Sequence, residues 1–492
     1  MEESKYCNLG DVCNTISETY RANSSKVVLI NTSDVLEGAC LNHEKVENKD
    51  LKGQFKKVFH QNDILYSEIR PANKRFAFME ELKEYRLEEI GTIVGGATPS
   101  TKEQSYYDGN ISWITPKDLS NYTDRFISRG KRMISQNGFD SCSCKMLPKG
   151  SILFSSRAPI GYIAIAENEL CTKQGFKSII PNNRIVDNMF LFYLLEYNKH
   201  AIEGMGSGTT FKEVSGDVMK KFKVRIPCLQ KQKQIASVLS IIDEKIELNR
   251  RINDNLELQA QALYKSWFVD FEPFKDGKFV DSELGMIPEG WSIGDIGTYS
   301  KVRSGFAFKS SWWTQSGSKV IKIKNITSDY RLDMTECSFV SKDNTAKASE
   351  FRVEVGDLLI AMTGATIGKF CLITSSDNNT YVNQRVGKFF LGNEPLKRLP
   401  FLYCCLKQDS VINEIINKGQ GSAQPNISGT DIESIKIVLP NDETIPIFNE
   451  HLYPMYKMII KNQEEIELLS TMRDSILPKL MSGELKVNDL NN

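Results

Sequence analysis

The chain is short of the residues that enzymes lean on. Histidine occurs four times, at His43, His60, His200 and His451, none with a serine, cysteine or acidic residue at a motif-like spacing. That leaves little for a hydrolase built on a histidine base. There is no CxxC: Cys142 and Cys144 form a CxC, Cys404 and Cys405 are adjacent, and the eleven cysteines are otherwise scattered. Paired zinc ligands and a disulfide framework are therefore not expected, and reduced thiols are. No apolar run approaches the length of a membrane span, and MEESKYCNLGDV has no signal-peptide pattern, so the expected location is cytoplasmic. Charge is balanced at 62 basic and 62 acidic residues, which excludes a uniformly basic nucleic-acid coat but not local basic faces. GATIGK at 364–369 fails the phosphate-loop spacing, because Thr363 precedes it and Phe370 follows the lysine. GMGSG at 204–208 follows a helical pattern instead of joining a strand to one, so both read as turns.

What is present is repetition. GMGSGTTFKEVSGDVMKKFKVRIP, from Gly204, aligns with KGQGSAQPNISGTDIESIKIVLP, from Lys418, at a constant offset (419 − 206 = 213). Gly206, Gly208, Ser215, Gly216 and Pro227 meet Gly419, Gly421, Ser428, Gly429 and Pro440. An apolar-periodic helix precedes each copy, MFLFYLLEYNKHAIEGM and PFLYCCLKQDSVINEII. Upstream lie LPKGSILFSSRAPIGYIAI and VGDLLIAMTGATIGKFCLI, each followed by a glutamine turn, CTKQGFK and YVNQRVGKF. The openings agree too, RLEEIGTIVGG with SIGDIGTYSKVRSG. A third, broken copy starts at NLGDVCNTI and carries NDILYSEIRP, then stops near Met79.

Short Val/Ile/Phe/Tyr runs bounded by Gly, Asn, Asp and Pro predict strands and turns inside each unit. The segments after Pro227 and Pro440 differ. Each carries apolar residues at helical steps over roughly forty residues, about 60 Å at 1.5 Å per residue. Helices that long predict antiparallel coiled-coil packing, with Pro454 marking a kink or a late start. The expected fold is α+β: two α/β recognition units, separated by two long antiparallel helices in a pseudo-twofold arrangement. Expected boundaries are a partial unit at 1–80, a complete unit at 81–228, a long helix and linker at 229–290, a second unit at 291–441 and a second long helix at 442–492.

The repeated turns concentrate polar side chains that could contact DNA. In the first unit these are Ser155, Ser156, Arg157, Thr172, Lys173, Gln174, Lys177, Ser207, Thr209, Thr210 and Lys212. In the second they are Thr363, Thr366, Asn383, Gln384, Arg385, Gln420, Ser422 and Gln424. Lys117, with Arg132 in RGKRM and Lys322 and Lys324 in KVIKIKN, could supply phosphate contacts. Arginine reads guanine, glutamine and asparagine read adenine, and hydroxyls hold phosphates. Each residue alone is equally compatible with a solvated turn. As a set they keep polar character in both copies while the side chains change. That suits two heads reading two different sequences, or another repeated partner.

These stretches resemble the specificity (S) subunit of type I restriction–modification enzymes over nearly the whole chain. LPKGSILFSSRAPIGYIAI with LCTKQGFKSIIPN resembles half of a target-recognition domain. LQKQKQIASVLSIIDEKIELNRRINDNLELQAQALYKSWFVDFEPF resembles the central conserved region, and LLSTMRDSILPKLMSGEL the terminal one. The resemblance implies two target-recognition domains, each reading one half of a bipartite double-stranded DNA site. It implies conserved helices that space them and dock two methyltransferase (M) subunits, and restriction (R) subunits reached through M. It further implies no catalysis and no cofactor on this chain, with SAM on M and ATP and Mg on R. The docking helices would present Ile242, Ile246, Ile252, Leu256, Leu263, Trp267, Ile466, Leu469, Ile476 and Leu480. The family begins with a complete recognition domain, so residues 1–80 depart from it. Such a remnant should dock on its neighbour or stay partly disordered. It also raises the alternative of a rearranged, silent allele that donates recognition domains. An enzyme with a hidden cofactor site, or a protein scaffold indifferent to DNA, are the rivals from other classes.

Overall fold

The computed structural model describes residues 82–485 apart from 121, 209–211, 421–424 and 441–442, together with 487 and, in the first 81, residues 18–19, 26–30, 35–36, 39–40, 45–47, 57–59, 64–66 and 76–78. It forms two compact units, Met1–Val238 with Leu477–Asn492, and Leu239–Ile476.

Each recognition repeat is closed by pairing its first strand with its last. In the first, Lys83–Arg86 runs antiparallel to Lys223–Ile226; in the second, Ser292–Asp295 runs antiparallel to Lys436–Leu439. This explains why the openings and the KVRIP and KIVLP endings recur together. A one-turn helix follows each opening strand, Leu87–Ile90 or Ile296–Tyr299. The main sheets share one strand order. The first runs Gly91–Gly95, Lys177–Pro181, Ile152–Ser156, Ile160–Ala166, with Phe126–Ile127 added at the edge. The second runs Lys301–Ser304, Val386–Phe390, Leu358–Ala361, Phe370–Leu372. A smaller sheet in each unit joins the glutamine turn by parallel pairing, Trp113 with Cys171 and Val320 with Tyr381.

Among the described strand pairs of the broken third copy, one parallels the complete units. Ile64–Tyr66 pairs antiparallel with Phe76–Phe78, placing Leu65 opposite Ala77. The complete units place Leu153 opposite Ala164 and Leu359 opposite Cys371, and all three leucines are buried. Most of the expected 1–80 half-unit, and with it the expected docking or disorder, lies outside the described residues.

The helix ahead of each glycine-rich segment differs between units. Asn188–Gly204 is one helix, its first turn capped by Asp187, whose carboxylate accepts from Phe190 N at 3.0 Å. The single helix expected in the second unit is instead two, Pro395–Leu406 and Asp409–Lys418. The break falls where Lys407 pairs with Glu257 and Gln408 Nε2 donates to Gln261 Oε1 at 3.0 Å, so two anchors to the long helix outweigh one unbroken ladder. Ser215 and Ser428 cap equivalent short helices, Gly216–Lys221 and Gly429–Glu433, which accounts for the repeated Ser-Gly.

The long helices are Leu229–Phe268 and Thr444–Ser482, of 40 and 39 residues. Within the second unit their partners rise along one and fall along the other, so they are antiparallel. Asp243 Oδ1 accepts from Arg473 Nη1 at 2.9 Å, Asn249 Nδ2 donates to Glu465 Oε2 at 2.8 Å, and Asn253 Oδ1 accepts from Asn462 Nδ2 at 2.9 Å. Ile242 and Ile246 pack with Ile466, Leu469 and Ile476 between and just beyond these polar rungs. Buried polar pairs in an apolar seam penalise every slipped register, which would leave them unpaired. Pro454 does not give a late start: the helix begins at Thr444 and runs through it. Leu452 and Tyr456 flank the proline and are buried in the unit's core, and that burial offsets a cost of roughly 3 kcal/mol for an interior proline.

Candidate nucleic-acid interface

In each unit three segments converge on one rim: the turn after the third strand of the sheet, the glutamine turn, and the end of the glycine-rich segment. Backbone hydrogen bonds tie them together. Ser156 N donates to Gly175 O at 2.7 Å, and Val214 N donates to Ser156 O at 2.9 Å. Glycine is required where the glutamine turn crosses the end of the first strand of the main sheet, Gly91–Gly95 or Lys301–Ser304. A Cβ on Gly96 would lie 2.1 Å from Lys173 O, and one on Gly305 would lie 2.4 Å from Val382 O.

The first rim brings Arg157, Lys173, Gln174, Lys177 and Ser207 to the surface or half-way to it. Arg157 Nη1 and Lys177 Nζ each lie 3.4 Å from the carboxylate of Glu213, a residue outside the expected set because its charge opposes that of DNA. The repeat offset does carry a signal for it, since it aligns Glu213 with Asn426. Lys212 is exposed nearby. Lys173 Nζ lies 6.0 Å from the Trp113 ring centre, and the Arg132 guanidinium 3.6 Å from that of Tyr107, so both cations rest on aromatic faces of the smaller sheet. Lys117 is exposed on the turn after that sheet's central strand.

Three expected contacts are corrected. Ser155 and Ser156 are 0% exposed and Thr172 is 2% exposed, too deep to meet a base edge. Ser155 Oγ donates to Pro159 O at 2.8 Å and accepts from Tyr162 N at 2.8 Å, so it shapes the turn from inside. Thr209 and Thr210 lie outside the described residues.

The second rim exposes Gln384, Arg385 and Gln420. Asn383 Oδ1 accepts from Arg385 N at 3.4 Å, and Thr366 Oγ1 donates to Thr363 O at 2.8 Å, so these two serve their own turns. Ser422 and Gln424 lie outside the described residues. Lys322 Nζ sits 3.5 Å from the Trp313 ring centre; burial, then the neighbouring Lys324 charge, push its pKa down. Lys324 is itself paired with Glu336 at 3.0 Å.

The expected docking residues also need correction. Ile242, Ile246, Ile466, Leu469 and Ile476 form the seam between the helices, Leu256, Leu263 and Trp267 pack on the second unit's core, and Leu480 is buried. Ile252 is half-buried. Helical periodicity finds the apolar stripe, and that stripe is consumed inside the chain. The exposed large apolar residues of the helices are others: Ile241, Leu248, Leu258, Ile447, Met458, Leu468 and Met472, with Leu258 and Leu468 each 69% exposed.

The family model for the type I restriction modification DNA specificity domain matches the chain twice, over residues 79–258 and 288–470. The type I restriction enzyme MjaIX specificity subunit of Methanocaldococcus jannaschii is 34% identical over 428 residues, which are 82% of this chain and 94% of the relative. The HindI specificity subunit of Haemophilus influenzae is 25% identical over 552 aligned positions, covering 99% of this chain and 100% of the relative. Among solved structures, the type I restriction–modification S subunit from M. genitalium aligns at a TM-score of 0.49 and 17% identity, over 82% of this chain and 96% of that one.

Proposed function

The chain belongs to the type I restriction–modification DNA specificity family, and we propose that its two rims each read one half of a bipartite DNA target. It is the DNA-specificity component, which associates with methyltransferase and restriction subunits and does no catalysis of its own. The observation that carries the two-rim reading is a pair of surfaces on one shared strand order whose side chains differ. Shared backbone with changed tips is what two readers of different sequences require. The helix pair, its register set by the buried rungs at Asp243, Asn249 and Asn253, sets the gap between half-sites. SAM belongs to the methyltransferase subunits, and ATP with Mg to the restriction subunits. The rearranged-allele alternative is not favoured, since two copies of the specificity domain match along the chain. Among the described residues no helix is long and apolar enough to cross a membrane.

Genome-wide methylation mapping in cells expressing the matching methyltransferase subunit tests this. With the chain present, a two-part motif of fixed gap is expected, and without it none; no new motif despite expression of both proteins refutes the reading. Two methyltransferase subunits dock on the outward apolar residues of the helices. Leu258→Glu and Leu468→Glu, made together, are expected to weaken co-purification of that subunit at least about tenfold while leaving the fold intact, because neither side chain is packed. Undiminished co-purification places docking elsewhere.

A further inference from the structure

The backbone bonds of the two rims align them residue by residue. Where Ser156 N donates to Gly175 O and its carbonyl accepts from Val214 N, Met362 N donates to Arg385 O and its carbonyl accepts from Ile427 N, both at 3.0 Å. Residues 157 and 213 bridge antiparallel, as do 363 and 426. Arg157 therefore corresponds to Thr363, Gly175 to Arg385, and Glu213 to Asn426. Lys177, opposite Gly95, corresponds to Gly387, opposite Ser304.

At these four positions the guanidinium has changed lips. The first unit has arginine on the first turn and glycine on the glutamine turn; the second has threonine and arginine. The exchange follows from space. Arg157 lies across Gly175, and a Cβ there would sit 3.1 Å from Arg157 Cγ and 3.2 Å from its Nε, at a φ of +108°. One lip carries the long side chain and the other must be small.

The charges differ as well. Glu213 touches both Arg157 and Lys177, whereas the second unit has no acid at any of the four places. A carboxylate on a surface that meets phosphates weakens binding unless it performs a specific task. Two tasks fit: fixing the arginine for a bidentate contact, and accepting from a base amino group.

We propose that three of these positions, Arg157, Gly175 and Glu213 in the first unit and Thr363, Arg385 and Asn426 in the second, are the base-reading set; at the fourth, Gly387 is buried and Lys177 holds Glu213. In the first, Arg157 donates to guanine O6 and N7 while Glu213 accepts from a cytosine N4 amino group. In the second, Arg385 reads guanine from the opposite lip with no acidic partner. This rests on the DNA-specificity reading above.

The test is methylation mapping with the methyltransferase subunit and the full chain as wild type, Glu213→Gln and Arg385→Gln. Glu213→Gln is expected to relax a G·C requirement in one half of the motif, with about tenfold or greater loss of discrimination there. The other half and the gap stay unchanged and serve as the internal control. Arg385→Gln is expected to relax only the opposite half. Wild-type motifs from both variants overturn the assignment. Complete loss of methylation with Glu213→Gln is resolved by Glu213→Asp: return of the wild-type motif supports the carboxylate's role, and continued loss overturns it. If the wild-type chain itself yields no two-part motif, it is the DNA-specificity reading that fails.

Discussion

The two recognition units agree in strand order and differ in how each is fastened to the long helix that follows it. In the first, a buried carboxamide sits at the joint beside the buried Ile235 and Ala236 of the same helix. Gln232 accepts from Asp187 N at 2.9 Å and donates to Ile185 O at 3.0 Å and Pro227 O at 2.9 Å, and its side chain is buried. In the second, Asn449 accepts from Phe401 N at 2.9 Å and donates to Tyr299 Oη at 3.1 Å. Around it Tyr264, Phe268, Phe401 and Phe448 pack edge to face or tilted, with ring centres 4.9–6.0 Å apart. Both joints set a buried amide beside apolar packing, aliphatic in the first and aromatic in the second. The lesson is that each unit places a buried amide in the first turns of the following helix, at a different position and with different packing around it. Burial of a satisfied amide and burial of rings are alternative ways to stop a domain from rocking on a helix.

The contrast can be broken at the amides. Gln232→Leu strands one backbone N–H and two carbonyls and should cost about 3 kcal/mol. Asn449→Leu strands one N–H and leaves the rings in place, so about 2 kcal/mol is expected. Hydrogen exchange read on the peptides 188–204 and 395–406 separates the units within one experiment. Equal loss of protection in both would mean that the aromatic buttress adds nothing to the second joint.

Much of this was legible in the sequence, for a physical reason. The two units, their strand-and-turn character and the length of the two helices follow from repetition and periodicity, which act through local geometry and appear twice; strand order and the closing pairs join residues far apart in the chain and do not. What stayed hidden depends on which way a side chain faces. Ser155, Ser156 and Thr172 look like surface hydroxyls because they sit in polar turns, yet each belongs to a strand that turns them inward. Ile246 and Leu258 share one helix and one chemistry, but only Ile246 meets the facing helix. Glu213 has the wrong sign for DNA when read in sequence, and its role depends on two cationic neighbours brought from 56 and 36 residues away. The break at Lys407 depends on Glu257 and Gln261, some 150 residues earlier in the chain, so no window could reveal it.

The smallest difference between the units lies at the serine caps, and pH sharpens it. Ser428 Oγ accepts from Asp431 N at 3.1 Å, and Asp431 Oδ2 accepts in return from Ser428 N at 2.9 Å. The first unit has only half of this: Ser215 Oγ accepts from Val218 N at 3.2 Å, and Val218 returns nothing. The hydrogen bond from Ser428, first its side chain and then its backbone, holds the Asp431 pKa below its ordinary value. A carboxyl depressed in the folded state adds stability above the unfolded value of 3.8, and that stability is lost as pH falls through the folded value. Acidification below pH of about 4 should therefore loosen Gly429–Glu433 by a step that Asp431→Asn removes. Gly216–Lys221, lacking an acid at that position, should show no such step. Val218→Asp should confer the step on the first unit together with about 0.5 kcal/mol at neutral pH, near the lower end of what a cap contributes. Exchange of the 216–221 amides between pH 5 and pH 3, corrected for intrinsic rate, measures it; an unchanged pH profile in Val218→Asp would show that the reciprocal bond does not form there.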